Sequence, residues 1–120
     1  MITPSRVLRL AAAALVLAAM AACTREVDVG ELRAAIGDSP VVMLSTTTCG
    51  YCRQLRADLG DWGVDFEDLD VESDQNGWDA YEQVNGRGVP ILIIGDAVLH
   101  GYEPERARSL LAQANLLPES

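Results

Sequence analysis

The stretch "PVVMLSTTTCGYCRQLRADLG", Pro40 to Gly60, carries three kinds of local structure in succession. Pro40 opens an apolar, β-branched run bounded by turn formers, and a run this short suits a buried strand better than a helix. From Tyr51 onward, Cys52, Leu55 and Leu59 recur on one helical face while Arg53, Arg56 and Asp58 fall largely elsewhere, with Gly60 or Gly63 as the stop. Cys49 therefore stands at the N-terminal edge of a helix fed directly by a strand. A thiolate there meets unpaired backbone N–H groups and the positive end of the helix dipole, so its pKa falls and it becomes a nucleophile near neutral pH. Cys52, one turn on, is within reach of a mixed disulfide formed at Cys49, and Arg53 and Arg56 add positive charge that tunes the thiol. Two other readings stand beside the reactive dithiol. Half of a zinc clip would need two further ligands, for which the chain offers His100 and Cys23. A structural bridge would close so short a loop that it constrains little chain.

Downstream, "VDFEDLDVE" alternates apolar Val64, Phe66, Leu69 and Val71 with acids, which predicts an edge strand over Asp65 to Val71. "SDQNGWDAYEQVNGRG" starts on capping residues and predicts a helix with Trp78, Tyr81 and Val84 on one face, stopped at Asn85-Gly86. "VPILIIGDAVLHGYEP" then reads as a strand, a Gly95-Asp96 turn, a second strand ending near His100 and a break at Gly101. "PERARSLLAQANLL" closes as a helix with Pro104 in its first turn and Ala107, Leu110, Leu111 and Ala114 inward. Upstream, "VGELRAAIG" places Val29, Leu32 and Ile36 at helical spacing before Gly37. The order is a helix followed by β-α-β-α-β-β-α, an α/β pattern with helices packed on a small central sheet. Trp62, Trp78 and Phe66 read as packing residues, and His100 as a structural or exposed strand end rather than a proton-transfer group.

The N-terminus "MITPSRVLRLAAAALVLAAMAAC" sets Arg6 and Arg9 ahead of a charge-free run from Leu10 to Ala22, the layout of an export signal. The run falls short of the roughly 20 residues of a spanning helix. "MAAC", Met20 to Cys23, resembles a bacterial lipobox, which implies cleavage before Cys23 and lipidation of its thiol. Thr24 stands where the resemblance would put Asp for inner-membrane retention, which favours the outer membrane and a periplasmic location. The expected organisation is a signal over residues 1–22, a tether over 23–28 and one domain over 29–120, all that 120 residues accommodate. Two of the nine basic residues, all arginines, precede Cys23 and all eighteen acids follow it, so the portion from Cys23 carries seven against eighteen, a formal −11. That excludes nucleic acid as a natural partner.

With strand, CGYC, helix and a later "GVP" opening a hairpin, the chain resembles the glutaredoxin branch of the thioredoxin fold from about Val41 to Ala114. A thioredoxin proper would show Trp-Cys-Gly-Pro-Cys, whereas here Thr48 precedes Cys49 and Tyr51 lies between the cysteines. The resemblance implies a thioredoxin-like three-layer sandwich and a thiol–disulfide oxidoreductase with Cys49 as nucleophile and Cys52 as resolving thiol. It further implies a cis bond at Val89-Pro90, with Val89's backbone pairing an extended substrate, and substrate contacts at Tyr51, Val89, Pro90 and Gly101. No resident cofactor is implied. Glutathione is the family's co-substrate, yet the basic residue expected before the first cysteine falls at Thr46, and the expected Gly-Gly-x-Asp reads "HGYE", with Tyr102 and Glu103. These departures argue against glutathione and leave a disulfide-containing protein or a low-molecular-weight thiol as the partner of a monomer. The alternatives are a metal or iron–sulfur module held through Cys49, which Gly50 permits, and a non-catalytic interaction domain.

Overall fold

The computed structural model describes residues 26–118. The expected signal, Cys23 and the first part of the tether lie outside them. The described elements are α1 (Val29–Ile36), β1 (Val41–Ser45), α2 (Gly50–Asp61), β2 (Glu67–Asp70), α3 (Gln75–Gln83), β3 (Ile91–Ile94), β4 (Ala97–His100) and α4 (Pro104–Gln113). Asp28 and Asp74 cap α1 and α3, their carboxylates accepting from the N–H groups of Glu31 and Gly77.

The strands lie in the order β2-β1-β3-β4. β1 runs parallel to β2, with Leu44 opposite Leu69, and antiparallel to β3, with Met43 opposite Leu92. β3 and β4 form the hairpin, Leu92 opposite Leu99. Because β1 is central, all five of its residues are buried, which is why its sequence shows a continuous apolar run. Its side chains still alternate. Val42 and Leu44 join Leu32, Ile36, Ala80 and Val84 beneath α1 and α3, while Val41 and Met43 join Leu55, Leu59, Ala107 and Leu111 beneath α2 and α4. The result is the three-layer, thioredoxin-like sandwich.

Three expectations need correcting. β2 covers Glu67–Asp70 rather than 65–71, because its parallel register pairs only with Val42 to Ser45; Val71 adds one more bond, its N–H donating to Ser45 O at 3.0 Å. In α3 the inward face is Gly77, Ala80 and Val84, and Trp78 is 45% exposed. The reason is close approach: a Cβ at Gly77 would stand 2.9 Å from the carbonyl oxygen of Asp70, so only glycine lets α3 settle on β2. Trp78 is turned outward and stacks on Tyr81, centroids 5.7 Å apart, while Tyr81 itself is half-buried against the core. In α4, Ala107 and Leu111 are buried, but Ala114 is the exposed C-cap beyond the last helical residue.

Arg33 ties α1 to the sheet, its guanidinium donating to the carbonyl of Ser39 at 3.0 Å and to that of Gly95 in the hairpin turn. Among the described residues no helix is long and apolar enough to cross a membrane.

Candidate dithiol site

The site forms where β1 runs into α2. Cys49 is the N-cap of α2, with extended backbone (φ −88°, ψ 113°), and its Sγ accepts the N–H of Cys52 at 3.0 Å. A sulfur thus occupies the position usually taken by a capping oxygen, and negative charge forming on it would be met by a helix N-terminus. Cys49 is half-buried, whereas Cys52 has 0% of its surface exposed. The two are joined as a disulfide with Cα atoms 5.2 Å apart. An incoming reagent therefore meets Cys49 first, with Cys52 behind it.

Opposite the pair lies the loop that leads into β3. The Val89-Pro90 bond is cis, and Val89 O is 3.7 Å from Cys49 Sγ. Among the described residues, neither the N–H nor the C=O of Val89 has a backbone partner, so a short strand edge is left open beside the sulfur. Pro90 is buried, and its carbonyl accepts the N–H of Gly101 at 2.9 Å. Gly101 has φ +91°, a conformation that favours glycine, so it serves here as the bracket that turns β4 toward α4 and ties that turn to Pro90.

Tyr51 is 65% exposed and stacks on Tyr102, with ring centroids 5.5 Å apart and planes at 23°. Tyr102 packs against the core under α2 and α4, and its hydroxyl donates to Asp58. The Asp58 carboxylate, first by accepting that bond, holds the phenol above its usual pKa of 10.0; desolvation and the carboxylate's charge act the same way and Gln54 opposes them.

The arginines divide. Arg53 is exposed in the first turn of α2, and a Cβ at Gly50 would lie 3.8 Å from its Nη2. Arg56 is committed elsewhere: its Nε pairs with Asp68 at 2.7 Å, and Asp68 also accepts from Ser45 Oγ at 2.5 Å. Thr46 is half-buried and lines a shallow cleft with Ser45, Thr47 and Arg56. His100 is exposed at the end of β4, opposite Ile91. Among the described residues no three His, Cys, Asp or Glu side chains gather where they could hold a metal ion.

Of the expected site residues, Cys49, Cys52, Val89 and Pro90 come together directly, with Gly101 one hydrogen bond away and Tyr51 and Arg53 on the adjoining turn. Sequence reasoning missed Asp58 and Tyr102. Their contact spans 44 positions, and the only local signal was that Tyr51 and Asp58 are two helical turns apart on one face.

Fold and cysteine pair together define a glutaredoxin-like thiol oxidoreductase fold of the thioredoxin-like class. Residues 41–99 match the family model described as Glutaredoxin. A glutaredoxin from Archaeoglobus fulgidus is similar at 26% identity and a TM-score of 0.56, over 72% of this chain and 96% of that one. Buckwheat glutaredoxin, solved in complex with glutathione, is 19% identical with a TM-score of 0.57, over 76% of this chain and 99% of that one. The glutaredoxin-like NrdH-redoxin of Escherichia coli is 21% identical with a TM-score of 0.54, over 67% and 97%. No curated protein matches the sequence. The family match covers just under half of the 120 residues, and these neighbours share the fold of the described domain.

Proposed function

We propose that the chain is an exported, lipid-anchored thiol–disulfide oxidoreductase. The observation that carries the redox reading is the sulfur at the N-cap of α2: Cys49 Sγ accepts the Cys52 N–H while Cys52 itself is buried behind it and the edge of Val89 is open in front. In the reduced protein, the Cys49 thiolate attacks one sulfur of a substrate disulfide, forming a mixed disulfide and expelling the other sulfur as a thiolate that takes a proton. Cys52 then gives up its proton and attacks Cys49 Sγ. The second substrate thiol leaves and the Cys49–Cys52 disulfide remains, two electrons having passed to the substrate. Arg53 in the first turn favours both thiolates. The cis peptide loop offers Val89's N–H and C=O to an extended substrate as an added strand, with Tyr51 and Gly101 at its margins.

Export rests on the leader with Arg6 and Arg9, and anchoring on Cys23 in "MAAC". On the periplasmic side the surroundings are oxidising, so a reducing role would draw electrons through a membrane partner. The uncharged Thr46 and the exposed Glu103 disfavour glutathione, whose carboxylates would meet no arginine before Cys49 and a carboxylate beyond Gly101. A disulfide-bearing protein is the better substrate.

The test is trapping. A Cys52→Ala protein should accumulate mixed disulfides through Cys49, identified by mass spectrometry after non-reducing separation, and Cys49→Ser should accumulate none. A Cys49→Ser protein that reduced a disulfide at the wild-type rate would sink the reading.

A further inference from the structure

Tyr51 is one of three large apolar side chains left exposed among the described residues, and it lies between the two cysteines. Its ring is held rather than loose. One face stacks on Tyr102, which is itself wedged against the core and tied through its hydroxyl to Asp58. Tyr51, Gln54 and Asp58 lie at i, i+3 and i+7 on one face of α2, so Tyr102 lies along two turns of that helix with both ends fixed. Arg53, two residues after Tyr51, leaves the helix on a different side.

The charge bordering this wall is negative on balance: Asp58, Glu103 and Glu105 stand against Arg106, which lines the same hollow as Glu103, Pro104 and Glu105. Asp58 accepts the phenol, and Glu103 follows Tyr102 as the N-cap of α4 without making a capping hydrogen bond. A helix N-terminus ordinarily welcomes an anion, but this one carries Pro104, which has no N–H, and a second carboxylate, Glu105, in its first turn. An incoming carboxylate is repelled there and an incoming cation is attracted. An aromatic face beside carboxylates is also a site for a cation over the ring.

We propose that Tyr51 and Tyr102, flanked by Asp58 and Glu103, form a specificity subsite beside Cys49 for a lysine or arginine side chain adjoining the cysteine of an extended polypeptide disulfide. The assignment rests on the redox reading above and names its substrate class. The polypeptide lies along Val89, its cysteine sulfur is attacked by the Cys49 thiolate, and its neighbouring cation rests on the aromatic wall. The electrons and protons move as in the general reaction: two cysteine thiols of the enzyme become a disulfide, and the peptide disulfide becomes two thiols.

The experiment uses the pre-reduced protein and three probes: a symmetrical disulfide of a short peptide with lysine on both sides of its cysteine, the same peptide with glutamate, and oxidised glutathione. At low salt kcat/KM should be roughly five- to tenfold higher for the lysine probe than for the glutamate probe, and the gap should narrow as salt rises. Oxidised glutathione should be slower than the lysine probe. Tyr102→Ala should bring the ratio close to one through KM. Glu103→Lys, at an exposed position, should lower or invert the ratio and serves if the tyrosine variant does not fold. Failure to reduce any probe overturns the dithiol reading itself. Reduction of all three with no lysine preference, or a ratio unchanged in both variants, overturns the subsite alone.

Discussion

At the scale of single residues, Tyr102 is the side chain whose protonation is most informative. Its folded pKa is raised, so folding favours the protonated phenol, and the contribution of its bond to Asp58 is complete below the ordinary value of 10.0 and lost as pH rises through the raised one. Tyr102→Phe should therefore be less stable than wild type by an amount that stays constant from about pH 6 to about pH 9 and shrinks above that. Urea midpoints across the range measure it. A gap that stayed flat into strong alkali would show that the phenol proton is not what separates the two proteins. Cys49 and Cys52 were legible in the sequence because their chemistry depends on local geometry alone, a strand running into a helix. Tyr102 was not legible as their neighbour, since its approach depends on how α4 packs over α2, which no spacing in either segment encodes.

At the scale of elements, α3 rests on a backbone contact. Adding a methyl at Gly77 puts it 2.9 Å from Asp70 O and 3.3 Å from Leu69 Cβ, neither of which is a flexible chain end. Gly77→Ala should destabilise the domain by about 1–3 kcal/mol despite alanine's better helix propensity. Gly60, in α2, meets nothing within 4 Å, so Gly60→Ala should instead stabilise by up to about 1 kcal/mol. Denaturation of the two variants in parallel checks the opposite signs. The same glycine explains the element whose face was misread. Helical periodicity offered Trp78, Tyr81 and Val84 as one apolar stripe; Val84 is buried and Tyr81 packs partly against the core, but Trp78 is exposed. Close packing chose the small residues Gly77 and Ala80, a preference that becomes visible only when the strand beneath is in place. The succession of elements and the packing of helices on a small sheet were legible, because β1 and β3 show continuous apolar runs and the helices amphipathic ones.

At the scale of the whole molecule, the proposed anchor makes a separable prediction. Full-length chain produced in a bacterium should enter the detergent phase on phase separation, and Cys23→Ser should move it to the aqueous phase with its dithiol activity in solution unchanged. A wild-type protein found wholly in the aqueous phase would remove the lipid from the proposal while leaving the redox site untouched.

Finally, among the described residues β2 has an outer side that no other strand covers, and its four residues include Glu67, Asp68 and Asp70. Two copies meeting strand to strand along that rim would crowd like charges across the new seam, Arg56 offsetting only Asp68, so the edge is guarded against growing into a stack by repulsion. That guard is electrostatic and therefore conditional. Salt that screens the rim opens a route to clumping that leaves each copy's core intact, and storage solutions should be chosen accordingly.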